Sequence, residues 1–320
     1  MKIAVYGLAK NDLNLIDRWI NSVSPADYLV IGDIGSSDGS VDVMRSKNVT
    51  VHEISIQPLR FDRARNTVLN LLPNDIDVCI SCDIREFMMP GWRSNIEKSW
   101  LSGSTRLLHS YIHSFTLTQY PPFRSAENMI HARHGSNWRR PIRERLSSTI
   151  PDKWVTNLDV VLCHNGDPYI DTSELLDLLK VSHDEDPTCL ETMFLFGSEL
   201  AHQGIKPHAI AMLHKFLDTP SVGLSVERSE AWRLLADLEP HEKLKNLRLS
   251  TLEDQTRREP WLDLCEHYLS VSDWPNLYAA CKEAMQIQKS TLNSSDNPVA
   301  WGSRFSELQN AAKTVLGISK

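Results

Sequence analysis

Asp33-Ile34-Gly35-Ser36-Ser37-Asp38-Gly39-Ser40 follows the short apolar run Tyr28-Leu29-Val30-Ile31 and precedes an amphipathic stretch that begins at Val41. A strand that ends in a small-residue loop with two carboxylates, then starts a helix, is how an α/β sheet presents polar groups to a ligand. Gly35 and Gly39 let the backbone take positive φ and approach a ligand closely. Asp33 and Asp38 can accept hydrogen bonds from a ribose or a base edge. Taken alone, the loop reads equally well as an acidic turn. Its surroundings decide.

Outward from this loop, the first hundred residues alternate strand and helix. The pattern predicts strands over Lys2 to Tyr6, Tyr28 to Ile31, Val49 to Ile54 and Asp77 to Cys82. Leu13, Ile16, Trp19, Ile20 and Val23 fall at helical spacing, with Asn11 or Asp12 as N-cap and Ser24-Pro25 as the stop. A second helix runs from Arg63 to Leu72 and ends at Pro73. Short loops between alternating elements imply a mostly parallel sheet covered on both faces. Ligands of such sheets bind beyond the carboxyl ends of the strands, where Lys10 to Asp12, Asp33 to Ser40 and Asp83 to Glu86 all lie. From Thr105 to Val161 the pattern is less regular, with strand-like Arg106 to His109 and His113 to Phe115 and a break at Pro121-Pro122.

After Gly166-Asp167-Pro168 nearly everything reads as helix. Glu191 to Asp218 forms two amphipathic segments hinged at Gly204. In them Gly197, Gly204, Ala209 and Phe216 fall where a tetratricopeptide pair sets its small and large packing residues. Trp261, Leu264 and Tyr268, followed by Ala279 and Ala280, echo the pattern. An irregular helical cap is the alternative. The boundary is placed at residue 168, giving domains 1–168 and 169–320.

Composition bounds the class. The 320 residues, 41% hydrophobic and 23% charged, suit two domains with proper cores. No stretch approaches the roughly 20 apolar residues of a membrane helix. The opening Lys2-Ile3-Ala4-Val5-Tyr6 is too short for a signal peptide's apolar region, so the expected location is cytoplasmic. Cys79 and Cys82 have C-x-x-C spacing inside a strand-like run, and no further well-spaced ligands accompany them. The six cysteines are therefore expected to be buried thiols. The net charge of −7 hides an asymmetry: 18 basic against 15 acidic residues in 1–150, and 16 against 26 in 151–320. The basic excess lies mostly at Arg133, Arg139, Arg140, Arg143 and Arg145, interleaved with His131, His134 and Trp138. That run is either a solvated hairpin or an anion-binding strip.

Four segments together resemble the inverting family 2 glycosyltransferases of the GT-A fold, in the bacterial and phage branch whose catalytic domain is followed by tetratricopeptide helices. Lys10-Asn11-Asp12-Leu13-Asn14-Leu15-Ile16 is similar to that branch's "KNEExNI", and Asp33 to Ser40 to its "DTGSTDGT". Arg60-Phe61-Asp62-Arg63-Ala64-Arg65-Asn66 resembles "DFSxARN", and Asp83-Ile84-Arg85-Glu86 sits where the family writes "DADE". His164-Asn165-Gly166 resembles a closing "HxG". The resemblance spans about residues 2–220. It implies a GT-A α/β domain, Rossmann-like, followed by tetratricopeptide-like helices. It also implies a nucleotide-sugar donor held by Asn11, Asp12, Asp33, Gly35, Asp38, Arg65, Asn66, Asp83 and Arg85. Helix capping is the alternative role for Asp12 and Asp38.

The chemistry needs these residue types. A departing nucleoside diphosphate develops negative charge, which a divalent metal or Arg and Lys must neutralise. A carboxylate must take the acceptor hydroxyl's proton. Arg85 stands where the family's metal-binding Asp of D-x-D would be, and a guanidinium cannot ligate a cation. Either Asp83, Glu86 and His164 hold Mn²⁺ or Mg²⁺, or Arg85 itself neutralises the diphosphate. Trp138-Arg139-Arg140-Pro141-Ile142-Arg143-Glu144 resembles the family's "W…P-x-HE", with Arg143 in the His place, and makes Glu144 the candidate base. The alternative for Glu144 is a surface ion pair with Arg143 or Arg145. The expected activity is inverting transfer of a sugar from a UDP-sugar to an acceptor hydroxyl. The resemblance names a surface or lipid-linked glycan as acceptor or, in phage relatives, a hydroxymethylated base in DNA. The rival is a non-catalytic platform built on a decayed transferase domain whose helices bind a protein partner.

Overall fold

Strand β1 (Ile3–Ala9) is buried along its whole length. Ile3 and Val5 face one side with Ile16, Trp19 and Val23 of α1 (Ile16–Val23). Ala4, Tyr6 and Leu8 face the other with Phe61, Ala64 and Val68 of α3 (Phe61–Leu71). A strand apolar on both faces belongs at the centre of a sheet sandwiched between helices. In the computed structural model, which describes residues 1–112, 124–164, 172–220, 223–288 and 298–318, it does so.

Around β1 lie β2 (Tyr28–Asp33), β3 (Thr50–Glu53) and β4 (Val78–Ser81), all parallel to it or to one another. Helix α2 (Ser40–Ser46) connects β2 to β3. Beyond β4 come β5 (Glu86–Met88), α4 (Trp92–Ser99), β6 (Arg106–Ile112) and β7 (Arg124–Ala132). The hairpin β8 (Ser136–Arg139) and β9 (Arg145–Ser148) and the long β10 (Trp154–His164) complete the domain. The sheet order among the described residues is β3-β2-β1-β4-β7-β6-β10-β5. Strand β7 runs antiparallel to β4 and β6, and β5 antiparallel to β10. The basic run of the sequence is thus partly a hairpin. Its Arg133 is buried and donates to the carbonyls of Leu72 and Pro73, closing the end of α3.

Register sets the site. Ala9 pairs with Asp33, and Asp33 with Glu53, so β1, β2 and β3 end level and their following loops open on one edge. Gly7 allows the close approach of the chain after β4: a Cβ there would lie 2.3 Å from the Cys82 carbonyl oxygen.

The chain divides into two compact units, Met1–Leu178 and Leu179–Lys320. Helix α5 (Thr172–Glu185) contributes to both. In the second unit α6 (Leu190–His202) packs on α7 (Lys206–Asp218), and α8 (Ser225–Leu238) on α9 (Lys243–Glu253). Then α10 (Glu259–Ser270) packs on α11 (Trp274–Gln286), and α11 on α12 (Arg304–Leu316). Gly197 of α6 admits Leu213 of α7, whose side chain would lie 3.0 Å from an added Cβ. Gly204 turns between the two helices at φ 75°. Two apolar clusters fill this unit, one around Phe216 and Leu235 and one around Cys265, Leu277 and Phe305. The architecture is the expected α/β sheet domain followed by a helical region of packed helix pairs.

Details differ from the sequence reading. The first strand extends to Ala9, because Leu8 and Ala9 are as buried as the residues before them. A 3-10 turn over Leu13–Leu15 precedes α1, and neither Asn11 nor Asp12 caps it through its side chain. Asp38 accepts the Leu13 N–H instead, a cap supplied from the neighbouring loop. The expected strand at His113 to Phe115, the Pro121-Pro122 break, Asn165-Gly166 and the boundary at residue 168 lie outside the described residues. All six cysteines are free thiols, five of them buried. No helix among the described residues is long and apolar enough to cross a membrane.

Candidate functional site

The acidic loop is largely self-contained. Asp33 accepts hydrogen bonds from the backbone N–H groups of Gly35 and Ser36 and from the Ser36 hydroxyl. Asp38 accepts from the N–H and hydroxyl of Ser40 as well as from Leu13. Burial pushes the Asp38 carboxyl up, but these donors outweigh it and hold it below its usual value. Asn11, at φ 57°, receives the Ser37 N–H on its side-chain oxygen and donates its own N–H to Ser36. Both carboxylates therefore shape the loop before they meet any ligand. The capping alternative describes Asp38 in this structure, while Asp38 itself remains exposed.

Arg65, on α3, is the node of the site. Its Nη1 and Nη2 donate to the two carboxylate oxygens of Asp83, each at 2.7 Å, and Nε donates to Glu144 Oε1 at 2.7 Å. A guanidinium forked onto one carboxylate and bonded to another is held in a single geometry. Burial pulls the Arg65 pKa down, yet the charges of Asp83 and Glu144 more than reverse this. The Trp138 ring lies beneath, 5.3 Å from the guanidinium carbon.

Glu144 reaches Arg65 because the β8–β9 loop is bent back. Arg140 and Arg143 both take positive φ, 77° and 52°. Non-glycine residues pay for this conformation, so a concentration of them in one loop marks a constrained segment. The Pro141 carbonyl accepts the Phe61 N–H at the start of α3, fixing the loop to the helix that carries Arg65.

Asn66 sits away from this cluster. Its amide donates to the Trp138 carbonyl and accepts the Trp138 N–H, both at 2.8 Å, clamping β8 to α3. The Trp138 indole N–H donates to the Tyr6 hydroxyl, which bonds His131 Nε2 at 2.8 Å. His131 is fully buried, and burial drops its pKa to about 4, so the ring is neutral. Tyr6 and His131 carry no readable motif. Tyr6 is signalled in the sequence as the one polar group on the apolar strand β1, while His131 lies on the mixed strand β7 and has no such mark.

At the second carboxylate, Arg85 Nε donates to Asp12 Oδ1 at 2.7 Å and Nη2 to the Lys10 carbonyl at 3.3 Å. Asp12 also accepts the Lys10 N–H, and burial raises its pKa despite these bonds. Glu86 is buried, accepting the Tyr111 hydroxyl on one oxygen and the Asp83 N–H on the other. Burial, with the Asp83 charge adding, lifts its pKa to about 7.

These contacts test the metal alternative. Both Asp83 oxygens face Arg65, Asp12 faces Arg85, and Glu86 faces Tyr111 and the backbone. His164 lies opposite Glu86 across the β10–β5 ladder. Among the described residues no three His, Cys, Asp or Glu side chains converge as a metal site. Asp83 and Glu86 thus already have both carboxylate oxygens engaged within the chain.

A cavity of about 590 Å³ opens at the ends of β1, β2 and β3. Ile34, Ile54, Ile56 and Leu59 supply apolar wall, and Lys10, Gly35 and Ser36 bring the loops to its rim. From α5, Glu174, Asp177 and Leu178 complete it, spaced i, i+3 and i+4 on one helix face.

No protein-family model and no curated protein matches the chain. Among solved structures it is similar to S. aureus TarS, at 11% identity and TM-score 0.38, covering 87% of this chain and 54% of that one. The chain thus spans about half the length of TarS. It is similar to MamA at 19% identity and TM-score 0.35, over 46% of this chain and 80% of MamA. A third similarity is to glucosyl-3-phosphoglycerate synthase from Mycobacterium tuberculosis, solved with Mn²⁺, UDP and glucosyl-3-phosphoglycerate. There identity is 21% and TM-score 0.28, over 34% of this chain and 44% of that one.

Proposed function

We propose that the chain is a glycosyltransferase that binds a UDP-sugar at the carboxyl edge of β1 to β4 and transfers the sugar to an acceptor hydroxyl with inversion. The observation that carries this reading is the cavity at the ends of β1, β2 and β3, whose wall residue Lys10 accepts a hydrogen bond from Arg85 at its carbonyl. Its apolar walls suit the faces of a flat base, and its rim carboxylates can accept from ribose hydroxyls. Glu53, Glu174 and Asp177 outnumber Lys10 there, so the uncharged nucleoside fits the cavity and the phosphates lie outside it, towards the arginines.

Glu144 takes the acceptor's proton. The acceptor oxygen then forms its bond to the anomeric carbon from the face opposite the diphosphate. The bond from that carbon to the diphosphate oxygen breaks, and UDP leaves with the electron pair. Arg65 holds Glu144 in place through its Nε donor. A glycan or a hydroxymethylated DNA base suits the acceptor role, the exposed Arg139 and Arg143 lying close in sequence to Glu144.

The test is a thermal-shift and turnover panel. UDP at about a hundred times its Kd should stabilise the chain by roughly 2.7 kcal/mol. Ser55→Trp, which fills the cavity from an exposed wall position, should fold normally and lose that stabilisation. Equal stabilisation of both proteins would place UDP elsewhere. Absence of both sugar transfer and UDP-sugar hydrolysis from a UDP-binding protein would favour the non-catalytic platform.

A further inference from the structure

We infer that Tyr6 and His131 are positioning residues: with the Trp138 indole they form a buried relay that holds Arg65, and through Arg65 the proposed base Glu144, in its working geometry. This rests on the proposed reaction and deepens it, because it assigns a role in that reaction to two residues buried within the sheet domain.

The hydrogen bonds of the relay run in one direction. His131 Nδ1 lies 2.8 Å from the Ala132 carbonyl, which can only accept, so Nδ1 carries a proton. Burial lowers the His131 pKa to about 4, which leaves the ring neutral and Nε2 an acceptor. The Tyr6 hydroxyl therefore donates to Nε2 at 2.8 Å, and its oxygen accepts the Trp138 indole N–H at 2.7 Å. Strand order sets this line, since β1 and β7 flank β4, with Tyr6 paired to Ser81 and His131 to Cys79. The rings meet edge to face, Tyr6 on His131 at 87° and His131 on Trp138 at 83°. Tyr6 and His131 are fully buried and Trp138 nearly so, and a lost partner would leave a buried polar group unpaired.

The relay ends under Arg65. The Trp138 ring lies 5.3 Å from the guanidinium carbon, and Asn66, the neighbour of Arg65 on α3, clamps the Trp138 main chain. The attraction needs the guanidinium over the ring face, and the bond to Tyr6 at the indole edge fixes how that face is turned. Ser81, the partner of Tyr6 across β1 and β4, accepts from Arg65 Nη1 at 3.1 Å. Arg65 in turn donates to Glu144. Packing does not require the Tyr6 hydroxyl, since a bare phenyl ring would fill the same place among Phe61, Ala64 and Val68. The hydroxyl serves orientation.

The experiment uses the full chain with isotope-labelled arginine. It reads solvent exchange of the Arg65 Nε–H by NMR, and transfer kcat and uridine affinity on the same samples, under conditions where urea unfolding shows each protein folded. Arg65→Lys assigns the signal by its loss. In wild type the Nε–H should be protected by its bond to Glu144. Tyr6→Phe should speed its exchange and lower kcat by up to about 100-fold, the cost of misplacing a group by about 1 Å. Uridine affinity should stay unchanged, because none of the three relay residues lines the cavity assigned to the nucleoside. His131→Leu should behave like Tyr6→Phe, whereas His131→Gln, whose amide oxygen can accept from Tyr6, should recover most of the loss. The two His131 variants decide the matter where Tyr6→Phe does not fold. A folded Tyr6→Phe protein with wild-type protection and kcat overturns the inference. A loss that His131→Gln fails to recover, or a parallel loss of uridine affinity, also overturns it, since general loosening of the domain gives either. Wild type that transfers no sugar removes the proposed reaction instead. The Arg65 signal then decides the relay alone, and unchanged protection in Tyr6→Phe overturns it.

Discussion

Glu144 is a carboxylate held by one strong contact, the Arg65 Nε donor at 2.7 Å, rather than by Arg143 or Arg145 as the local sequence suggests. The partner matters to the expected phenotype. Glu144→Gln keeps the oxygen that accepts from Arg65 but removes the basicity. If the proposed reaction holds, transfer should fall by about 10²–10⁴-fold, the usual share of a general base, while UDP affinity and folding are retained. A purified Glu144→Gln protein with half the wild-type transfer rate would send the search to Asp83 or Glu86. Asn66 makes the opposite case. Its two bonds to Trp138 hold β8 against α3, so Asn66→Ala should cost about 1–3 kcal/mol in urea unfolding, leaving the Trp138 N–H and carbonyl unpaired.

The elements of the site depend on how closely their backbones approach. A Cβ on Gly7 would meet main-chain atoms, the Cys82 carbonyl at 2.3 Å and Asp83 Cα at 2.8 Å, which cannot move without parting β1 from the segment after β4. Gly35 has open space around the same position but a φ of +107°. Gly7→Ala should therefore destabilise by about 3 kcal/mol, as overpacking against an unyielding neighbour does. Gly35→Ala carries only backbone strain, about 1–2 kcal/mol. Comparing the two urea midpoints checks the ranking. A Gly7→Ala protein as stable as Gly35→Ala would mean that the sheet yields at this crossing.

Among the described residues, three buried groups with large shifts titrate between about pH 4 and 7 and make stability depend on pH. Glu86 titrates at about 7 when folded against 4.5 ordinarily, whereas His109 and His131 titrate at about 4 against 6.5. Between about pH 4.5 and 6.5 the unfolded chain binds the two histidine protons, while the folded chain keeps the Glu86 proton. The balance is one proton more on the unfolded side, so stability from these groups rises with pH by about 1.4 kcal/mol per unit. Above pH 6.5 only Glu86 still differs, and stability falls as it ionises through pH 7. Thermal unfolding should thus show a maximum near pH 6.5. Glu86→Gln should remove the decline above it and steepen the rise below it. A decline that persists unchanged in Glu86→Gln would assign it to another group.

The sequence by itself determined the fold class and the sheet edge on which the candidate site was sought. Apolar runs of strand length alternating with helical spacing admit few arrangements, and small polar residues at the strand ends can fall only at their carboxyl edge. Gly197, Gly204, Ala209 and Phe216 likewise announced a helix pair, because close packing leaves room for only small residues opposite large ones. What the sequence left open was decided by contacts between residues far apart in the chain. Only the folded chain shows that Asp38 caps the turn at Leu13, that Asn66 grips Trp138, and that α5 closes the cavity with Glu174 and Asp177. It alone shows Arg65 turned onto Asp83 and Glu144, and Arg85 onto Asp12. A charged side chain carries no local mark of its partner: periodicity reports which face is buried, while ion pairing depends on a distance that only the packed sheet and loops set.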